Sequence, residues 1–156
     1  MTLGFKANLC TEKGVIPTLS FIGHITTNNW GSKIYHTQYA APAFRFTAQH
    51  TLSEKLSLSY NLGAEWDGET PVPAYIYTLT TGFSLGENYG GYVEAYGFLQ
   101  KDASADHRVD GGISWLITND MLLDLSGGIG LSSSSSNGYI AIGFSFRTSM
   151  KKEKMK

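Results

Sequence analysis

The sequence predicts an all-β chain, an antiparallel sheet of the transmembrane β-barrel type with about nine strands present. Three observations predict it. Apolar and polar residues alternate with a period of two almost from end to end, the alternating stretches are long, and the connections between them are short and long in turn. The strands fall at residues 2–10, 14–26, 39–50, 55–66, 72–85, 89–100, 107–118, 120–131 and 138–148. Most run to around ten residues or more, whereas soluble sheets usually use five or six and a membrane-crossing strand needs roughly 9–11.

Parity sorts each strand into two faces. The first three strands set Lys6, Ile16, Ile22, His24 and Arg45 on the polar side. In 55–66 one face carries Leu56, Leu58, Tyr60, Leu62, Ala64 and Trp66, and the other Ser57, Ser59, Asn61, Gly63 and Glu65. The strand at 89–100 contributes Tyr92, Glu94, Tyr96 and Phe98 to the polar side. In 107–118, Val109, Gly111, Ile113, Trp115 and Ile117 oppose Arg108, Asp110, Gly112 and Ser114. In 120–131, Met121, Leu123, Leu125 and Ile129 oppose Asp124, Ser126, Gly128 and Gly130. The last strand sets Ile140, Ile142, Phe144 and Phe146 against Ala141, Gly143, Ser145 and Arg147. A soluble sandwich alternates in the same way with its apolar face inward, so parity alone leaves both architectures open.

The connections separate them. They read TEKG (11–14), NNWGSKIYHTQ (28–38), SEK (53–55), DGETP (67–71), GENY (86–89), KDASAD (101–106), ND (119–120) and SSSSSNG (132–138). Outer-membrane barrels join strands by short periplasmic turns and longer extracellular loops, and a Greek-key sandwich has no reason to alternate this way. That topology ends the last strand on the periplasmic side. It puts Trp66, Tyr75 and Tyr77 near the outer rim of the apolar face and Phe83, Trp115, Phe144 and Phe146 near the periplasmic rim. Two aromatic girdles of this kind are expected where amphipathic rings meet lipid headgroups.

Composition sets bounds. The chain has 156 residues, net charge −1, 42% hydrophobic and 16% charged residues, 18 glycines and 1 cysteine. The length suits one domain, and a charge near zero gives no electrostatic reason to expect nucleic acid. No apolar run approaches the roughly 18 residues of a spanning helix. Cys10 alone makes no intrachain disulfide, and without a CxxC or a His/Cys cluster no metal site is expected.

The stretches DGGISWLITNDMLLDLSGGIGLS (110–132) and YIAIGFSFR (139–147) resemble the C-terminal hairpin and closing strand of a bacterial outer-membrane family. That family is labelled for the meta-pathway of phenol degradation, or simply as transporters. EKGVIPTLSFIGHIT (12–26) and LSEKLSLSYNLGAEWDG (52–68) resemble two of its upstream strands, so the likeness covers most of residues 4–147. The resemblance implies a closed barrel of about twelve strands preceded by a signal peptide. On this reading residues 1–148 are a partial barrel lacking its N-terminal strands and signal peptide, and 149–156 are a basic tail. Nine strands leave the first and last running in the same direction, so an antiparallel barrel does not close within the chain. The resemblance also implies a bacterial outer-membrane location and passive, porin-like uptake of small solutes, phenolic or other aromatic compounds among them. The partners it implies are outer-membrane lipid and the barrel-assembly machinery, for which Phe146 is the terminal aromatic signal.

The polar face, as lumen wall, offers eight charged candidates: Lys6, Arg45, Glu65, Glu94, Arg108, Asp110, Asp124 and Arg147. They either pair across strands, because buried charges need partners, or form a solute-selecting constriction. Tyr92, Tyr96 and Phe98 are the lumenal aromatic candidates for contact with an apolar solute. No catalytic residue or cofactor is expected. His24, His36, His50 and His107 do not converge with serine and an acid, no GxSxG occurs, and neither His nor Ser falls clearly on the apolar face. The pentaserine run 132–136 reads as a flexible exposed loop, and Gly127, Gly128 and Gly130 as relief of crowding within a strand. Two other functional readings stay open: a structural or lipid-modifying barrel that does not transport, and a soluble all-β binding module.

Overall fold

A computed structural model of the chain describes residues 1–148; the predicted basic tail lies outside them. The described residues form β1 (Thr2–Cys10), β2 (Thr18–Thr26), β3 (Ala41–Ser53), β4 (Leu56–Glu65), β5 (Ala74–Ser84), β6 (Tyr89–Gln100), β7 (Asp106–Thr118), β8 (Met121–Gly130) and β9 (Gly138–Phe146). A single 3-10 turn, Lys33–Tyr35, interrupts the longest connection.

All nine predicted strands are present, and their altered boundaries have local causes. β2 begins at Thr18 because Gly14, at φ +61°, and Val15 make a tight turn closed by hydrogen bonds between Lys13 and Ile16. Pro17 follows without an N–H to donate. Ile16 is therefore a turn residue, contrary to its predicted place in the strand. β5 begins at Ala74 because Pro71 and Pro73 bring no ladder donor. β3 runs on to Ser53 through an irregularity between Thr51 and Ser53.

The strands form one sheet in chain order, β1 to β9, each antiparallel to the next. The sheet is not closed: among the described residues β1 and β9 are its two edges. At the loop end lie connections 27–40, 66–73, 101–105 and 131–137, and at the turn end 11–17, 54–55, 85–88 and 119–120. Each connection at the loop end is longer than those on either side of it, as predicted.

Register keeps like with like. Phe46 faces Leu62, Leu62 faces Tyr77, Ile113 faces Leu125 and Leu125 faces Ile142, while Thr47 faces Asn61, Asn61 faces Thr78 and Glu94 faces Asp110. Residues opposite each other in adjacent strands share a face, so the strand-wise alternation becomes one continuous apolar surface and one continuous polar surface.

The sheet curls toward its polar face. A cavity of about 520 Å³ at the turn end is lined by Gln49 and Thr51 of β3, Ser57 of β4, Gly82 of β5, Gly90 of β6, Ser114 of β7 and Leu122 of β8. Residues of six successive strands, β3 to β8, thus border one shared space on the polar side. Curvature crowds the concave side and splays the convex one. Tyr92, Glu94, Tyr96, Arg108 and Asp110 are accordingly half-buried, whereas Leu62 is 63% exposed, Ile113 56% and Ile142 76%.

Almost nothing resembles a soluble core. The buried hydrophobic residues are Ala48, Ala64 and Ile76, and among the described residues no side chain is completely enclosed. A Leu, Ile or Phe left wholly in water forgoes about 1.5–3 kcal/mol of burial, and a half-exposed one a part of that. The convex face is thus a continuous apolar surface that the described residues leave largely uncovered.

Candidate functional site

The concave polar face is laid out in rows by the strand register. One row sets Asn61, Thr78, Tyr96, Arg108 and Gly130 side by side. The next holds Ser59, Thr80, Glu94, Asp110, Gly128 and Tyr139, and a third Ser57, Gly82, Tyr92, Gly112, Ser126 and Ala141. The side chains bond along these rows. Asn61 Nδ2 donates to Thr78 Oγ1 at 2.6 Å, the Thr80 hydroxyl donates to Glu94, and the Tyr139 hydroxyl donates to Asp110 Oδ2 at 2.7 Å. Asn61 Oδ1 and Asp110 Oδ1 are buried without a hydrogen-bond partner among the described residues. Small residues make room for the rings: a Cβ at Gly112 would meet the Tyr92 ring at 2.7 Å, and one at Gly128 the Tyr139 ring at 2.8 Å.

The eight predicted charges do not form one network. Arg45 pairs with Glu65 on the neighbouring strand at 3.4 Å, both side chains a little under half exposed. The other two arginines bond carboxylates that sequence reasoning did not single out. Arg108 grips Asp106, two residues earlier on its own strand, through Nε at 2.9 Å and a terminal nitrogen at 2.6 Å. Arg147 lies just past β9 and reaches Asp120, in the turn between β7 and β8, at 3.1 Å. Glu94 and Asp110 bond hydroxyls, Asp124 lies over Gly143, and Lys6 is exposed on β1 opposite Ile22. Of the predicted aromatics, Tyr96 and Phe98 meet edge to face at 6.2 Å with the Arg108 guanidinium 6.0 Å from the Phe98 ring, while Tyr92 stands apart opposite Gly112.

At the loop end the predicted exposed serine run makes hydrogen bonds to the start of β7. The Ser135 hydroxyl donates to Asp106 and, at 3.0 Å, to the His107 carbonyl. The Ser134 hydroxyl donates to the Ala105 carbonyl at 2.8 Å, and the His107 N–H to Ser132 Oγ at 2.9 Å. A serine is short enough to stand in for the ladder partner that the start of β7 lacks beyond β8. Composition alone shows a polar, low-complexity segment and hides these partners.

The convex face carries the predicted aromatic positions. Trp66 and Tyr75 lie toward the loop end, with Tyr77 next to them, and Phe83, Trp115, Phe144 and Phe146 toward the turn end. Trp115 stacks on Tyr89 at 6.0 Å. A cluster of phenylalanines was not anticipated: Phe21 lies 5.5 Å from Phe5, 6.4 Å from Phe44 and 5.0 Å from Phe46, and Phe44 lies 6.5 Å from Trp66. His50 and His107 also stand on this face, against expectation. His107 Nδ1 bonds the Tyr77 hydroxyl at 2.6 Å, and His50 Nε2 the Tyr60 hydroxyl at 3.4 Å. Among the described residues no serine hydroxyl bonds either ring, and no three His, Cys, Asp or Glu side chains gather as metal ligands.

Two carboxylates outside the strands are held in their charged form. Glu12 accepts the Thr51 N–H at 2.8 Å, and Asp67 accepts those of Glu69 and Thr70 at 2.8 and 2.9 Å. These backbone donors keep both groups below the ordinary carboxylate range.

Residues 1–148, the span that forms the sheet, match the protein family described as "Putative MetA-pathway of phenol degradation". The chain belongs to this family. The resemblance first seen in scattered strands thus extends through all nine strands of this member of the phenol-degradation family. Comparison with curated proteins gives no match.

Proposed function

We propose that this member of the phenol-degradation family is part of an outer-membrane β-barrel that lets small solutes, aromatic compounds among them, diffuse through its lumen. The observation that carries the proposal is the inverted distribution of the two faces. The concave side, where a soluble protein keeps its apolar core, holds Glu94, Asp110, Arg108, Tyr92 and Tyr96, and the convex side presents Leu62, Ile113 and Ile142 to the surroundings. A lipid bilayer is the medium that favours this arrangement, because it covers the apolar face while water fills the polar one. The family name and the rings of Tyr92, Tyr96, Phe98 and Tyr139 on the polar face support an aromatic solute. The mechanism is passive: the wall supplies hydroxyls, fixed charges and ring faces to a solute moving down its gradient, and no residue undergoes chemistry.

Two experiments test the reading. Cell fractionation is expected to place the protein in the outer membrane, extractable by detergent and showing heat-modifiable gel mobility. A monodisperse protein soluble without detergent rejects the membrane placement in favour of a soluble binding module. Planar-bilayer recording is expected to show discrete conductance steps, and a folded protein that never conducts points to a structural or lipid-modifying barrel.

A further inference from the structure

We infer that the serine loop between β8 and β9 is an inward-folded constriction that narrows the loop-end mouth of the polar concavity, latched by Asp106. This inference rests on the channel reading and adds to it the element that restricts passage.

The direction in which the loop folds follows from the register. Gly130 stands opposite Arg108, so both lie on the polar face, as does Asp106, which stands opposite Phe98. A Cβ built at Gly130 would run into the Ser135 side chain and the Ser136 carbonyl. The loop therefore lies over the polar side of β8 instead of continuing past the end of the sheet. Gly130 provides the space for that approach.

The latch is made by one carboxylate with two sets of donors. Asp106 receives the Arg108 guanidinium through both oxygens and also the Ser135 hydroxyl. Arg108 is thereby aligned beneath the loop, with Phe98 and Tyr96 next to it on the concave face. The Leu131 N–H donates to the His107 carbonyl at 2.7 Å, and Ser132 and Ser134 add further hydrogen bonds to the start of β7. A loop of small hydroxyl side chains suits this place: it is held by many short hydrogen bonds and brings no bulk that would block the mouth outright.

The test compares wild-type protein, expressed from its whole gene and folded into detergent, with Gly130→Leu and Asp106→Asn in planar bilayers. Gly130→Leu displaces the loop by bulk, and Asp106→Asn removes the charge that latches it. Heat-modifiable mobility verifies that each variant is folded, and two unrelated ways of freeing the loop guard against a folding defect in one. The expected result is a single-channel conductance raised about twofold by either variant as the mouth widens. If the wild type conducts and both folded variants conduct equally to it, the constriction is overturned and the channel reading stands. If no folded form conducts, the channel reading falls and the constriction falls with it.

Discussion

Glu94 on β6 and Asp110 on β7 stand directly opposite each other on the polar face, two carboxylates in one cross-strand pair. Each is quietened by a different hydroxyl, Glu94 by Thr80 and Asp110 by Tyr139. Their position in the middle of the concave wall makes them the most informative place to ask how the face tolerates charge.

Like charges at directly opposite strand positions destabilise a sheet by up to about 1 kcal/mol. Asp110→Asn removes one charge and keeps an oxygen for the Tyr139 hydroxyl, so it is expected to stabilise the folded protein by about 0.5 kcal/mol. Tyr139→Phe removes the donor and is expected to cost about 1 kcal/mol. Urea unfolding of the protein in lipid vesicles measures both. A midpoint lowered by Asp110→Asn reverses the argument, because it means the negative pair is itself favourable in its surroundings.

The two faces should differ sharply in their tolerance of a cation. Leu79 is 50% exposed in the middle of the convex face, and Thr47 lies on the concave face opposite Asn61. In a bilayer, Leu79→Arg is expected to cost about 2–4 kcal/mol, as for other cations at the midplane of a barrel's lipid face. Thr47→Lys, pointing into the wet concavity, is expected to stay within about 1 kcal/mol of wild type. Unfolding in vesicles compares them, and equal costs would count against lipid on the convex side.

The strands were legible because each carries its own two-residue period, a property of neighbouring residues that needs no partner strand. The same is true of the concave and convex assignments: once Leu62 and Asn61 are on opposite sides, every paired residue follows. What was not legible depends on register between strands or on how a loop returns. Phe21 meets Phe5, Phe44 and Phe46 only because β2 pairs with β1 and β3 in one particular alignment. Arg108 was visible as a charge, but its partner Asp106 sits at the boundary of a strand, where the sequence reads equally as a loop. The serine loop gave no periodic signal, and apart from the Ser135 bond to the Asp106 side chain its hydroxyls bond the backbone of residues 105 and 107, which any sequence would offer.

Glu12 predicts a pH effect. β2 begins opposite Gln49, so the stretch of β3 beyond it has no ladder partner on that side, and the Glu12 carboxylate accepts the Thr51 N–H there. Its pKa is lowered on folding, chiefly by that backbone hydrogen bond. A lowered carboxylate contributes stability that is fully present above its unfolded value and is lost as pH falls through its folded one. Glu12→Gln is therefore expected to destabilise the protein at neutral pH and to flatten the loss of stability below roughly pH 4.5. Unfolding midpoints taken from pH 7 to pH 3 give the comparison. Parallel curves for variant and wild type would remove Glu12 from the acid response.

The three polar-face arginines should differ in their influence on ion selection, because the structure gives them different surroundings. The Arg108 side chain is 28% exposed and held in place by Asp106, whereas those of Arg45 and Arg147 are 47% and 74% exposed. Solvent and salt screen an exposed charge strongly and a sheltered one less. Arg108 also stands over Phe98 on the polar face near the loop end, while Arg147 lies past the end of β9 beside Asp120. Arg108→Gln leaves Asp106 without its cation and makes that part of the wall negative. In planar bilayers under a salt gradient it is expected to move the reversal potential toward cation preference, Arg45→Gln less so, and Arg147→Gln hardly at all. Equal shifts in all three would mean that local shelter does not set selectivity. No shift in any would mean that these charges serve only to hold the strands together.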